Sequence, residues 1–135
     1  MKIVVIGGVA GGMSFAARMR RLDANAEITI VEKSGFVSYA NCGLPYYVGG
    51  VITDEAALVL QTPASLWKRF RLDVRVSSEV LRIDRDAKKV DVRNHVSGEE
   101  YSLEYDKLVF SPGASPVRPP IPGIERALSL RNVED

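Results

Sequence analysis

The chain has one cysteine, one histidine and one tryptophan among its 135 residues. A single cysteine cannot close a disulfide within the chain, and no spacing of His, Cys or carboxylate residues reads as a metal site, so neither staple supplies its stability. An excess of charge of one sign is also missing: 18 basic residues face 17 acidic ones, a formal net charge of +1. That balance offers no bulk attraction to nucleic acid or to a membrane surface. No apolar run approaches the length that spans a bilayer, and Met1 leads into a strand pattern with no signal-peptide pattern before it. The chain reads as cytoplasmic, with its thiol in a reducing compartment. Its length suits one modest domain, yet is short for an enzyme that must hold two cofactors and a substrate.

What is present is an alternation of strand and helix patterns. Lys2 to Ile6 is a continuous apolar run, as expected of a parallel strand buried on both faces. Gly11 to Leu22 reads as a helix, and Glu27 to Val31 as a second strand, completing a right-handed βαβ unit of about thirty residues. A short helix is predicted over Cys42 to Val48, and another over Pro63 to Phe70 with Thr62 as its cap. From Val74 to Leu103 the pattern changes to period two. Val74–Val76, Glu79–Asp84, Lys89–Arg93 and Tyr101–Leu103 alternate apolar with polar residues and read as an antiparallel β-meander laid over one side of the parallel sheet. Tyr105 to Phe110 is the last strong strand. Five of the seven prolines follow, between Pro112 and Pro122, which makes a stiff connector. The expected organisation is an α/β, Rossmann-like domain over 1–113 with an inserted meander at about 74–103, and a Pro-rich connector over 114–135.

Ile6-Gly7-Gly8-Val9-Ala10-Gly11-Gly12 opens a helix directly after a strand, the setting the Gly-x-Gly-x-x-Gly dinucleotide fingerprint requires. Gly7 and Gly12 take the first and third glycine places, and Val9 stands where the second usually lies. The loop can donate N–H groups to a phosphate at the helix N-terminus. Glu32, twenty positions beyond Gly12 at the end of the second strand, can accept both ribose hydroxyls and repel a 2′-phosphate. The competing reading is that the glycines only let helix and strand pack closely. The motif does not decide between FAD and NAD.

The only cysteine lies in Ser38-Tyr39-Ala40-Asn41-Cys42-Gly43-Leu44-Pro45, where an extended stretch turns into a short helix. Free N–H groups and the positive dipole end there favour a thiolate, the form that attacks disulfides. The bland alternative for a lone cysteine is a small buried apolar residue.

These segments together resemble the flavin-dependent pyridine nucleotide-disulfide oxidoreductases, and within them the single-cysteine branch of coenzyme A-disulfide reductases, NADH oxidases and NADH-dependent persulfide reductases. The marks run over nearly the whole chain: Gly7 to Gly12 with Val9-Ala10, Arg20-Arg21-Leu22-Asp23, Ser38 to Cys42 with Gly43-Leu44-Pro45-Tyr46-Tyr47, Tyr105-Asp106-Lys107-Leu108-Val109, and Ser111-Pro112-Gly113-Ala114-Ser115-Pro116. The resemblance implies that the first motif binds FAD, with Gly7, Gly8, Val9, Ala10, Gly11, Gly12, Glu32, Lys33, Asn41, Val80, Ser111, Pro112 and Gly113 as cofactor-binding residues. It implies that Cys42 lies by the isoalloxazine ring as the redox nucleophile, with Ser38 and Asn41 beside it to place the substrate. Tyr39 replaces the commoner phenylalanine, with no change of chemistry expected. For the full-length enzyme it implies a second Rossmann domain that brings NAD(P)H, a homodimer, and a small-molecule disulfide or persulfide as substrate.

Ser14, Arg18 and Arg21 fall on one stripe of the first helix, while Phe15, Met19 and Leu22 form the adjacent stripe, expected to be core. Two guanidinium groups on the free stripe suit the phosphates of a bound coenzyme A whose thiol end reaches Cys42. A solvated helix face is the alternative. Lys68, Arg69 and Arg71 can add to the same basic rim, and Trp67 reads as helix packing. With no second glycine fingerprint and no later FAD segment, the chain reads as the N-terminal piece of a longer enzyme, inactive alone. Three further readings stand beside this one: a stand-alone nucleotide-binding or redox-sensing module, an NAD-dependent dehydrogenase with no flavin, and an NADH oxidase with oxygen as acceptor.

Overall fold

The computed structural model describes all residues, Met1–Asp135. Four strands, β1 (Lys2–Ile6), β2 (Glu27–Val31), β3 (Asp73–Arg75) and β7 (Lys107–Phe110), form a parallel sheet in the order β3-β2-β1-β7. Two helices, α1 (Ala10–Leu22) and α3 (Pro63–Phe70), cover one face. A three-stranded antiparallel sheet of β4 (Ser78–Asp84), β5 (Lys89–Asn94) and β6 (Glu100–Glu104) covers the other.

The unbroken apolar run of β1 follows from this layering. Ile3 and Val5 join Met13, Ala16, Ile28, Ile30 and Leu66 on the helix side. Val4 turns the other way, into a second cluster with Val31, Val90 and Val92 of the meander. A central strand covered on both faces has no position left for a polar side chain. The outer strand of the meander reads differently, because Glu100–Glu104 has one face in solvent and alternates accordingly.

The segment expected to begin the meander belongs to the parallel sheet instead. Asp73–Arg75 pairs in parallel with β2, Val74 beside Ile30 and Arg75 beside Val31, so the meander has three strands and starts at Ser78. The period-two pattern there is real but has another cause. Val74 and Val76 pack on the helix-side core, whereas Arg75 points at the meander with its guanidinium 5.1 Å from the Tyr101 ring centroid. An edge strand between a helix and a hairpin alternates as a meander strand does.

Helix α3 starts as expected: Thr62 and Ser65 form a reciprocal capping box, and Pro63 occupies the first turn. In α1 the buried arc is Gly12, Met13 and Ala16, with Phe15 and Met19 on its flank. Leu22 is not core but 65% exposed, since six positions of helical rotation carry it about 120° from Ala16. Arg20 ties the two helices together. Its guanidinium donates to the carbonyls of Phe70 at 2.8 Å and Arg71 at 3.0 Å, and to that of Ala24 at 2.7 Å, satisfying carbonyls left open at both helix ends. The predicted helix over Cys42 to Val48 is a 3-10 turn at Asn41–Gly43 running into α2 (Leu44–Val48).

Candidate functional site

Strand register brings three chain segments to one edge. Ile6 lies beside Val31 on one side and Phe110 on the other, so Gly7, Glu32 and Ser111 leave the sheet together at its carboxyl end. Backbone hydrogen bonds hold the convergence: the Gly7 N–H donates to the Val31 carbonyl at 2.9 Å, and the Ser111 N–H to the Ile6 carbonyl at 2.8 Å.

The glycines of the loop are required by contact. Gly7 has φ +97, and a Cβ there would be driven into the Ser111 carbonyl. A Cβ on Gly12 would strike the Gly7 carbonyl, and one on Gly8 would lie 2.9 Å from Val37 Cγ2. Val9 is under no such demand. Its φ is −105 and its side chain packs beside Phe36 on a third cluster built from Tyr39, Leu44 and Leu58, so the second glycine place accepts a branched residue. No side chain caps the N-terminus of α1 and no acidic residue lies in its first turn. Its leading N–H groups and dipole are open to an anion.

These walls enclose a cleft of about 590 Å³ lined by Gly7, Val9, Ala10, Gly11, Glu32, Lys33, Asn41, Ser111, Pro112 and Gly113. Ten of the expected cofactor-binding residues are thereby brought together, with Gly8 and Gly12 buried beneath. Val80 is not in this lining; it sits in β4 with its side chain against the second cluster.

Glu32 is 9% exposed and already employed: Oε2 accepts from the Gly8 N–H at 2.6 Å and Oε1 from the Ser34 N–H at 2.9 Å. The carboxylate is the strut between loop and strand, and each oxygen retains a second lone pair for a ligand. Glu32→Gln can keep only one of the two bonds and loses the charge assistance. It is expected to destabilise the fold by about 1–3 kcal/mol, read as a lower urea midpoint with an unchanged m-value. Lys33 reaches the cleft tethered to the meander, its ammonium 2.8 Å from Glu79 Oε1. The hydrogen bond from Lys33, aided by His95, holds the Glu79 carboxyl below its ordinary range.

Sequence reasoning missed the other side of the cleft. Tyr39, Ser129, Arg131, Asn132, Glu134 and Asp135 also line it, because the chain end folds back over the site. Arg131 donates to the Ala114 carbonyl at 3.0 Å, and the Glu134 carboxylate accepts from the Gly35 N–H at 2.8 Å. Burial, and then the carboxylates of Glu32 and Glu134, push the Tyr39 phenol above its usual range. No local pattern signals this return; only the tertiary path creates it.

The cysteine loop is pinned to the glycine loop. Ser38 adopts a left-handed backbone with φ 52, its N–H donates to the Gly8 carbonyl at 2.9 Å, and its carbonyl accepts from Leu60 at 3.1 Å. Tyr39 and Leu44 are buried with Leu58 on either side, and Gly43 leaves room for the Leu58 methyl that a Cβ would meet at 2.8 Å. Asn41 and Cys42 are what remains outside this anchor. Cys42 is an exposed free thiol, not a buried apolar residue, and lies one residue past Asn41 without itself lining the cleft. Ser14, Arg18 and Arg21 are exposed on α1. A second hollow of about 480 Å³ lies between the sheet and the meander, lined by Lys2, Asp73, Arg75, Lys89 and Glu104. Its charges pair with one another.

A parallel sheet whose glycine loop and terminal acid meet at its carboxyl edge, with a thiol-bearing loop hydrogen-bonded to the glycine loop, defines a Rossmann-like nucleotide-binding fold. Residues 1–135 match the family described as pyridine nucleotide-disulphide oxidoreductase, and the chain belongs to that family. It is 38% identical over 134 residues to the coenzyme A disulfide reductase of Staphylococcus epidermidis, covering 99% of this chain and 30% of that one. The structure of reduced Bacillus anthracis CoADR-RHD superimposes with a TM-score of 0.92 at 53% identity, over 98% of this chain and 24% of that chain. The NAD-dependent persulfide reductase of A. fulgidus does so with 0.87 at 44% identity, over 93% and 23%. The chain thus spans about 30% of the length of the curated relative it matches. No helix is long and apolar enough to cross a membrane.

Proposed function

We propose that this chain is the N-terminal, FAD-binding part of an NAD(P)H-dependent oxidoreductase that reduces coenzyme A disulfide, or a related persulfide or polysulfide, through Cys42. The observation that carries it is the tether: the only thiol is exposed on a loop bonded directly, Ser38 N–H to Gly8 carbonyl at 2.9 Å, to the glycine loop of the nucleotide cleft. The cleft suits a dinucleotide. Its floor admits no Cβ at Gly7 or Gly12, its helix end presents uncapped N–H groups, and Glu32 has lone pairs for a ribose.

In this reading residues 1–113 bind the cofactor, while 114–135 lead toward an NAD(P)H-binding domain outside this chain and lay Arg131 along the cleft. FAD, when bound, supplies the two electrons taken from NAD(P)H. The Cys42 thiolate attacks one sulfur of coenzyme A disulfide, forming a mixed disulfide and releasing one coenzyme A thiolate. Cys42 Sγ then holds the second coenzyme A as a mixed disulfide, whose two-electron reduction would free that coenzyme A and restore the Cys42 thiolate. One redox cysteine suffices because the substrate carries the second sulfur. Arg18 and Arg21, exposed and unpaired on α1, hold the phosphates of the substrate, and Ser38 and Asn41 place its sulfur.

Intact mass measurement of the full-length enzyme, oxidised with coenzyme A disulfide, is expected to show one coenzyme A per chain, removed by NADH and mapping to the Cys42 peptide. An adduct elsewhere, or none, refutes the assignment. NADH oxidation in air without any sulfur substrate would point to oxygen as acceptor instead.

A further inference from the structure

The side chain of Tyr39 is only 8% exposed, its ring packed with Leu44 and Leu58 in the third cluster. A phenylalanine would fill that space equally well. The Tyr39 hydroxyl makes no hydrogen bond in the chain, yet no fully enclosed side-chain oxygen or nitrogen of the molecule lacks a partner, so this oxygen opens on the cleft that Tyr39 lines. Burying most of a phenol with no partner for its O–H gains nothing for folding that the bare ring would not gain. The use of the hydroxyl lies in what enters the cleft.

Two neighbours fix which part of a ligand it meets. The Glu32 carboxylate at the end of β2 is near enough to act electrostatically on the phenol, and its free lone pairs suit a ribose. Val9 packs on the same cluster as the Tyr39 ring and is the N-cap of α1, whose open N–H groups suit a phosphate. The phenol therefore stands between the place for a ribose and the place for its phosphate. Burial, and then the Glu32 and Glu134 carboxylates, oppose a phenolate, so the group is protonated at neutral pH. A protonated phenol is a donor, and a ribose phosphate is rich in acceptors.

We propose that the Tyr39 hydroxyl is a ligand of the bound dinucleotide, donating a hydrogen bond to a phosphate oxygen next to the ribose that Glu32 holds. This rests on the FAD reading above and adds a contact that phenylalanine in the same place cannot make. The exchange of phenylalanine for tyrosine then leaves the chemistry at Cys42 as it is and changes how firmly the cofactor is held. The bond is formed inside a largely water-excluded wall of the cleft and to a charged acceptor, the two conditions under which a hydrogen bond contributes most.

The full-length enzyme is stripped of flavin and titrated with FAD, with quenching of flavin fluorescence as the signal. ADP, which carries the ribose and its phosphates without the flavin, is measured as a competitor. Tyr39→Phe is expected to raise the FAD dissociation constant and the ADP inhibition constant together, each on the order of tenfold, the worth of one hydrogen bond to a charged group. The thermal midpoint of the stripped enzyme should not change, because no bond within the chain is lost, while that of the holoenzyme should fall. If the stripped enzyme does not stay folded, the rate of FAD release from the holoenzyme reads the same factor. Equal affinities in the wild-type and Tyr39→Phe enzymes overturn the proposal, and so does an equal drop of both thermal midpoints, which would make the hydroxyl a structural group. A loss of FAD affinity with ADP unaffected would also overturn it, by placing the hydroxyl at the flavin end. If the wild-type enzyme binds neither FAD nor ADP, the FAD reading itself has failed and the Tyr39 contact with it.

Discussion

Cys42→Ser in the full-length enzyme is expected to lose at least about a thousandfold in kcat for coenzyme A disulfide, the scale on which removing a covalent nucleophile acts. The hydroxyl is nearly isosteric with the thiol, but it ionises far too weakly to attack a sulfur and cannot carry a disulfide through turnover. Folding should barely respond. The side chain is exposed, the anchors of its loop are Tyr39, Leu44 and the Ser38–Gly8 hydrogen bond, and a surface change of this kind moves stability by no more than about 0.5 kcal/mol. The pair of measurements, turnover and thermal midpoint, separates a chemical role from a structural one. Retention of full disulfide reduction by the serine variant would remove Cys42 from the mechanism.

The second large effect is on the glycine loop. Gly7→Ala places an L side chain at φ +97 and pushes a methyl into the Ser111 carbonyl, combining backbone strain with overpacking of main chain that has no room to yield. The expected loss is on the order of 3 kcal/mol or more in urea denaturation, with FAD absent from the purified full-length protein. Two controls isolate the cause. At Gly50 the φ is +75 but nothing lies within 4 Å, so Gly50→Ala should cost only about 1–2 kcal/mol of left-handed strain. At Gly11 the backbone is helical and the nearest atom, Ser111 Oγ, is 3.4 Å away, so Gly11→Ala should be within about 1 kcal/mol of wild type, with helix propensity in its favour. A Gly7→Ala protein as stable as the Gly50 variant would mean that the contact with Ser111 does not constrain the loop.

Local chemistry made much of this molecule legible in the chain. β1 and β2 were read with the bounds they have, because a strand covered on both faces concentrates apolar residues, here Ile3–Ile6 and Ile28, Ile30 and Val31. Thr62 and Pro63 announced α3 as cap and first-turn residue, and the structure adds Ser65, which completes the capping box. The glycine loop and Glu32 were legible because a tight turn, a close carbonyl and a carboxylate at a strand end each demand a residue type at a set distance along the chain.

Where two packings share one local pattern, sequence could not choose. Val74–Val76 alternates whether it joins a hairpin or edges a parallel sheet, and pairing with β2 decided the second. Leu22 and Trp67 carry apolar side chains that helical spacing places near the core, but the neighbouring layer does not reach them, and both stay exposed. By itself the sequence determined the strand-loop-helix unit, an acid at the end of the second strand and the presence of one thiol on a turn, since each is a requirement on residues close along the chain; that the acid braces the loop through the Gly8 N–H was a matter of tertiary structure. Tertiary structure alone decided that the thiol loop hangs from the Gly8 carbonyl, that Arg131 and Glu134 close over the cleft, and that Arg20 sets two helix ends together beside an open indole. The Ser38–Gly8, Arg20–Phe70 and Gly35–Glu134 bonds join residues 30, 50 and 99 positions apart, and the free energy that brings them together belongs to the packed core rather than to any local stretch.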